Sequence, residues 1–209
     1  MKKYELTEET TNIFGKTLHR IRATRDFSNV HAGDLGGFIE DERNLSHDEN
    51  AWVGDEARVD GKALVGGDAR VEGKALVSGD ARVGGKALVG GNAWVYGNAR
   101  VYGDASVEGN AWVGGNALVY GNALVYGNAL VKGTRDIYWI SCIGSRDGTT
   151  TFFRNANNGI SVSCGCFYGT IDEFAAAVTK THGDNEHAQA YRHAIEIAKL
   201  RIKLEDTES

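Results

Sequence analysis

The chain has 209 residues, 28 glycines, no proline and a formal net charge of −5. Collagen needs proline with glycine at every third position, so it is excluded, and the weak negative charge argues against nucleic-acid binding driven by bulk charge. No segment approaches the roughly 20 apolar residues of a membrane-spanning helix, and nothing behind Met1–Glu5 resembles a signal peptide. Three cysteines do not make a disulfide framework, which leaves a reducing, cytoplasmic setting as the default expectation.

Residues 1–50 read as an irregular N-terminal cap. Thr17 to Thr24 has strand character, with Tyr4-Glu5-Leu6 as a candidate partner. Asp34 to Ile39 reads as a turn entering the first coil. Ile39 and Leu45 fit inward positions of imperfect units before Val53. Arg20, Arg22 and Arg25 form a small basic cluster, read either as a solvated strand face or as a contact for phosphate or an acidic partner.

From Ala51 to Thr134 the sequence repeats every six residues without a slip. Alanine recurs fourteen times from Ala51 to Ala129, and valine fourteen times from Val53 to Val131. Glycine follows two residues after valine in thirteen of the fourteen units, and only Asp55 departs. Ala-x-Val has the period-two alternation of a short strand with one apolar face. Gly-Asn and Gly-Asp supply the positive φ of a sharp corner. One unit cannot bury its own apolar face, whereas stacked coils can, so the pattern specifies a solenoid.

The repeat resembles the hexapeptide repeat of left-handed parallel β-helices, the superfamily of bacterial acyltransferases. The resemblance implies an inward aliphatic residue, here valine, an inward small residue, here alanine, and three units per triangular coil. Residues eighteen apart then stack, giving about 4.7 coils and a prism roughly 22 Å tall at about 4.8 Å per rung. The outward residues form three faces. The first carries Trp52, Arg70, Leu88, Ser106 and Leu124; the second Arg58, Leu76, Trp94, Trp112 and Leu130; the third Leu64, Arg82, Arg100 and Leu118. Tyr126 flanks the first face, Tyr96 the second, and Tyr102 and Tyr120 the third. Outward aromatics mark an interface. Leu76, Trp94, Tyr96, Tyr102, Trp112, Tyr120, Tyr126 and Leu130 are therefore the expected contact residues, for another chain or for the C-terminal domain. The resemblance favours a homo-oligomer, and specifically a trimer.

Residues 135–209 read as a small α+β domain of three strands and two helices. The strands are Ile137–Ile143, Thr149–Arg154 and Ile160–Cys166, with Asn158-Gly159 as a hairpin turn. Thr170 to Glu173 has capping-box spacing for a helix over about 171–180, and a second helix is expected over about 185–204. The combination of the two parts resembles uncharacterised proteins of bacteriophages and prophages.

Catalytic signals are sparse. The acyltransferases that the solenoid resembles use a histidine base, yet no histidine lies between His47 and His182 and no loop interrupts the coils. Cys164, Cys166, His182 and Asp184 contain the elements of a thiol nucleophile or a zinc site, against the plainer reading of a buried structural cysteine. Arg146, in a turn, is a candidate anion contact, as are His182 and Asp184. No cofactor or metal is expected. A non-catalytic binding or assembly protein is the leading expectation, with a host protein or small anionic ligand as partner. A coenzyme-A-dependent acyltransferase and a thiol or zinc enzyme are the alternatives.

Overall fold

The computed structural model describes residues 2–205. Its centre is a β-solenoid of about five turns. Fourteen two-residue strands, β4–β17, run from Trp52–Val53 to Leu130–Val131, one in every six residues. They stack in parallel at the eighteen-residue spacing. Trp52 pairs with Arg70, Arg70 with Leu88, Leu88 with Ser106 and Ser106 with Leu124, and the other two faces follow in the same register. Every repeat valine and alanine is at most 2% exposed, so the core is one continuous column.

The coils are held by backbone hydrogen bonds repeated at each level. Arg82 N–H donates to Ala99 O at 2.9 Å, Gly84 N–H to Val101 O at 3.0 Å, and Lys86 N–H to Gly103 O at 2.8 Å. A proline would remove such a donor, which accounts for its absence from the coils. The corner glycine is needed twice over. At Gly103 the backbone sits at φ +78°, and a Cβ there would lie 3.0 Å from the backbone N and O of Gly121 below it. Asp55, the one corner residue that is not glycine, takes φ +50° and accepts the Gly73 N–H through its carboxylate at 2.9 Å.

The N-terminal cap is a hairpin of β1 (Tyr4–Ile13) and β2 (Lys16–Ala23), followed by β3 (Leu35–Ile39). Tyr4 to Leu6 do pair with β2, and the strand continues to Ile13. The segment expected to turn before Ile39 is instead a strand, antiparallel to β2 and parallel to the first coil. Gly36 and Gly37 are there because the chain passes directly over the carbonyls of Val53 and Ala57, leaving no room for a Cβ. Ile39 stacks on Val59 and Leu45 on Val65, both at a spacing of twenty residues, so this coil carries two extra residues per turn. Lys3 closes the open end. Its side chain is fully buried, and its ammonium donates to Ala51 O at 2.7 Å and reaches Asp48 O and Glu49 O at 3.5 Å. Burial lowers its pKa to about 8.

The C-terminal sheet has four strands, not three: β18 (Ile137–Ile143), β19 (Gly148–Arg154), β20 (Ile160–Cys164) and β21 (Phe167–Thr170), antiparallel in that order. The third strand stops at Cys164 because Gly165, at φ +58°, reverses the chain and pairs Phe167 with Cys164. Helix α1 spans Ile171–His182, with the Thr170/Glu173 capping box formed on both sides. Helix α2 spans Glu186–Arg201, capped by Asn185. Ile137 and Phe153 join the end of the solenoid core, so the sheet plugs the last coil. The helices cover the other side of the sheet around Phe152, Val162 and Phe174. No described helix is long and apolar enough to cross a membrane.

Candidate functional site

The second face carries the largest aromatic cluster on the solenoid. Leu76, Trp94, Trp112 and Leu130 stand in register on successive rungs. Because valine fills the inward position of each strand, its neighbour must point outward. Trp94 and Trp112 meet edge to face with centroids 5.1 Å apart, and Trp94 lies 5.0 Å from Tyr96. The Trp94 indole donates to Ser78 Oγ at 2.9 Å, which fixes the ring. Tyr96 lies where a Cβ of Gly114 would be, so that glycine makes room for the ring. Trp112 remains 46% exposed. The C-terminal domain docks on the end of the prism, where Ile137 and Phe153 join its core.

One contributor to the cluster was not anticipated. Phe14, at the tip of the N-terminal hairpin, stacks on Trp94 at 6.1 Å while remaining 76% exposed. Its φ is +48°. A bulky residue in the left-handed region is a strained outlier, and such strain concentrates at functional positions. The sequence signal was the pair Phe14-Gly15 between two strand-like runs, a position where Asn-Gly is the ordinary choice.

The other expected contact residues divide. Tyr102 and Tyr120 stack on the third face, with centroids 5.6 Å apart and planes within 14°. Tyr126 belongs to a seam within the chain, 4.5 Å from Tyr168, whose hydroxyl occupies the space beside Gly127.

The candidate ligand residues do not converge. Arg20 is shared between Glu9 at 3.2 Å and Glu56 at 3.3 Å, and lies over the Phe38 ring. Arg22 binds Glu5 at 2.6 Å, and Arg25 lies over Phe27 at 5.9 Å. Two of the three charges in the cap are therefore met locally. Arg146 stands exposed in the β18–β19 turn. Asp184 pairs with Arg192 at 2.8 Å, and His182 packs 5.8 Å from Tyr191 and 5.7 Å from His187.

Cys164 and His182 do share a hollow of about 170 Å³, lined also by Phe174, Val178 and Tyr191. Thr150 Oγ1 donates to Cys164 Sγ at 3.1 Å, and the Tyr191 hydroxyl lies 3.6 Å from the same sulfur. Burial, reinforced by that thiol contact, pushes Tyr191 up to about 12, so its hydroxyl remains protonated at neutral pH. Cys166, past the Gly165 turn, is exposed and apart from this group. Among the described residues no three His, Cys, Asp or Glu side chains gather as a metal site would require.

A family model described as YdcK beta solenoid repeat matches residues 93–109, 99–115 and 117–133. The windows step by one six-residue unit and by one eighteen-residue coil, which is the periodicity of the folded solenoid. They cover less than half of the chain and support a β-solenoid repeat protein. No curated protein matches the chain.

Proposed function

We propose that this chain is a non-catalytic binding and assembly protein that self-associates through the second face of its solenoid. The observation that carries the reading is the Phe14–Trp94–Trp112 cluster, in which a strained, exposed phenylalanine and the exposed Trp112 flank a half-buried Trp94 on an otherwise regular face. Interface cores are enriched in such aromatics and depleted in charge. A hexapeptide-like solenoid supports a homo-oligomer, with three subunits as the favoured count. The resemblance to bacteriophage and prophage proteins points the binding role toward a host factor or nucleotide signal sequestered by the assembly. Sedimentation of Trp94→Glu/Trp112→Glu against the parent tests the reading. A fall in mass with retained β-sheet circular dichroism supports it, and an unchanged mass removes it.

The shared hollow of Cys164, His182 and Tyr191 supports a second reading, a thiol site in the C-terminal domain. Its signature is loss of a measured activity in Cys164→Ser, with Cys142→Ser and Cys166→Ser, at the two exposed thiols, unaffected.

A further inference from the structure

The third face differs from the other two in how its arginines are treated. On the first face, Arg70 is clamped by Glu72, two residues on, at 2.5 Å and by Asn29 at 2.6 Å. On the second, Arg58 is half-buried, and the acid two residues on, Asp60, is taken by Lys16 at 2.8 Å. Arg82 and Arg100 have no such companion, since the equivalent positions hold Gly84 and Tyr102. The two arginines pair directly in register, one rung apart, on an exposed face. Like charges so placed repel, and among the described residues neither has an ion-pair partner. Lys62 and Asp80 stand two residues before Leu64 and Arg82 on the same face, and among the described residues Asp80 pairs with neither arginine.

Rings lie beside these charges. Tyr102 leans over Gly84, whose missing side chain makes the space, and Tyr120 stacks on Tyr102 with nearly parallel planes. The series continues onto the C-terminal domain, where the Trp139 indole lies 3.8 Å from the Cβ position of Gly121. At the foot of the face, one rung below Arg100, Leu118 floors a hollow of about 260 Å³ lined by Ile137, Tyr138, Trp139 and Arg201. Arg201 also has no ion-pair partner among the described residues.

We propose that this third face is a binding site for single-stranded nucleic acid. Arg82, Arg100 and Arg201 pair with phosphates, and Tyr102, Tyr120 and Trp139 present their faces to bases. Guanidinium forks match phosphate oxygens in two-point contacts. Aromatic platforms beside a positive track are the physical requirement for holding an unpaired strand, whose bases are free to stack. A duplex hides those bases, and a polyanion without rings has nothing to place on the tyrosines. The net charge of −5 does not oppose this, because within a few ångströms of the face its own charges dominate. The site is on a different face from the Trp94–Trp112 cluster, so either proposal can fail alone.

The test is fluorescence anisotropy of a labelled oligothymidylate with the full chain in low-salt buffer. Heparin, a matching duplex and thymidine monophosphate serve as competitors. The expected result is binding that Arg82→Glu/Arg100→Glu weakens at least tenfold. Replacing these two arginines by glutamine should flatten the log–log salt dependence by about 1.4, from roughly 0.7 per lost phosphate contact on a single strand. Tyr102→Ala/Tyr120→Ala should weaken binding by roughly tenfold or more. Competition should be strong by unlabelled single strand and weak by duplex. Circular dichroism confirms that each variant is folded. No binding by the parent chain at low salt overturns the proposal. So does heparin competing as well as the single strand while the tyrosine variants bind normally, which would mark a ring-blind polyanion surface. Effective competition by the monophosphate alone, at equal nucleotide concentration, would overturn the strand in favour of a free nucleotide.

Discussion

Replacing Gly103 by alanine isolates the corner geometry on which the solenoid depends. The native φ is +78°, a region that costs an L-residue with a Cβ about 1–2 kcal/mol. The new Cβ would also sit 3.0 Å from the backbone of Gly121 in the coil below, where no side chain can swing aside. That tight contact strains two coils and brings the expected loss to about 2–3 kcal/mol. At about 2–4 °C per kcal/mol for a protein of this size, the melting temperature should fall by roughly 4–12 °C. Gly133→Ala is the internal control, because a Cβ there meets nothing within 4 Å. Thermal and urea denaturation followed by circular dichroism measure both variants. If Gly103→Ala melts within about 1 °C of Gly133→Ala, the positive-φ corner is not what the glycines provide.

Three further outcomes follow from other parts of the molecule. Lys3 loses its proton more readily folded, at about pH 8, than unfolded, at 10.5, so between those values the unfolded chain binds more protons and stability rises with pH. The slope reaches at most about 1.4 kcal/mol per pH unit, and Lys3→Met should flatten it in melting curves taken from pH 8 to pH 10. Phe14→Asn should stabilise the monomer by about 0.5–1 kcal/mol in urea denaturation, since asparagine tolerates the left-handed turn, while weakening self-association in sedimentation. Tyr168→Ala should loosen the seam at Tyr126 and Gly127, seen as faster amide exchange in residues 122–128 with the upper coils unchanged.

The solenoid was legible because its physics is local and repeated. Alternation over Ala-x-Val and a corner at each glycine recur at one spacing, and the eighteen-residue register follows from three units per coil. The cap was harder to read. Gly36-Gly37 looks like a turn, but its meaning is the close approach to Val53 and Ala57, a contact with residues some twenty positions away. The fourth C-terminal strand was hidden because Gly165 reverses the chain within a run that reads as continuous. Site residues divide in the same way. The ranks of outward residues followed from the period, including Leu64, Arg82, Arg100 and Leu118. The clamp on Arg70 was visible as well, in Glu72 two residues on, whereas Asp60, at the same spacing after Arg58, is taken by Lys16 from the N-terminal hairpin. The partners of Trp94 and Tyr126 were not visible, because Phe14 and Tyr168 reach them from separate folding units.

Light scattering coupled to size exclusion gives the mass of the full chain in solution and bears most directly on assembly through the second face. The subunit is 22.5 kDa. The expected result is an integral multiple of that mass, returning to 22.5 kDa when Trp112→Glu places a charge in the aromatic cluster. A parent chain that elutes as a single 22.5 kDa species across the accessible concentration range would contradict the account.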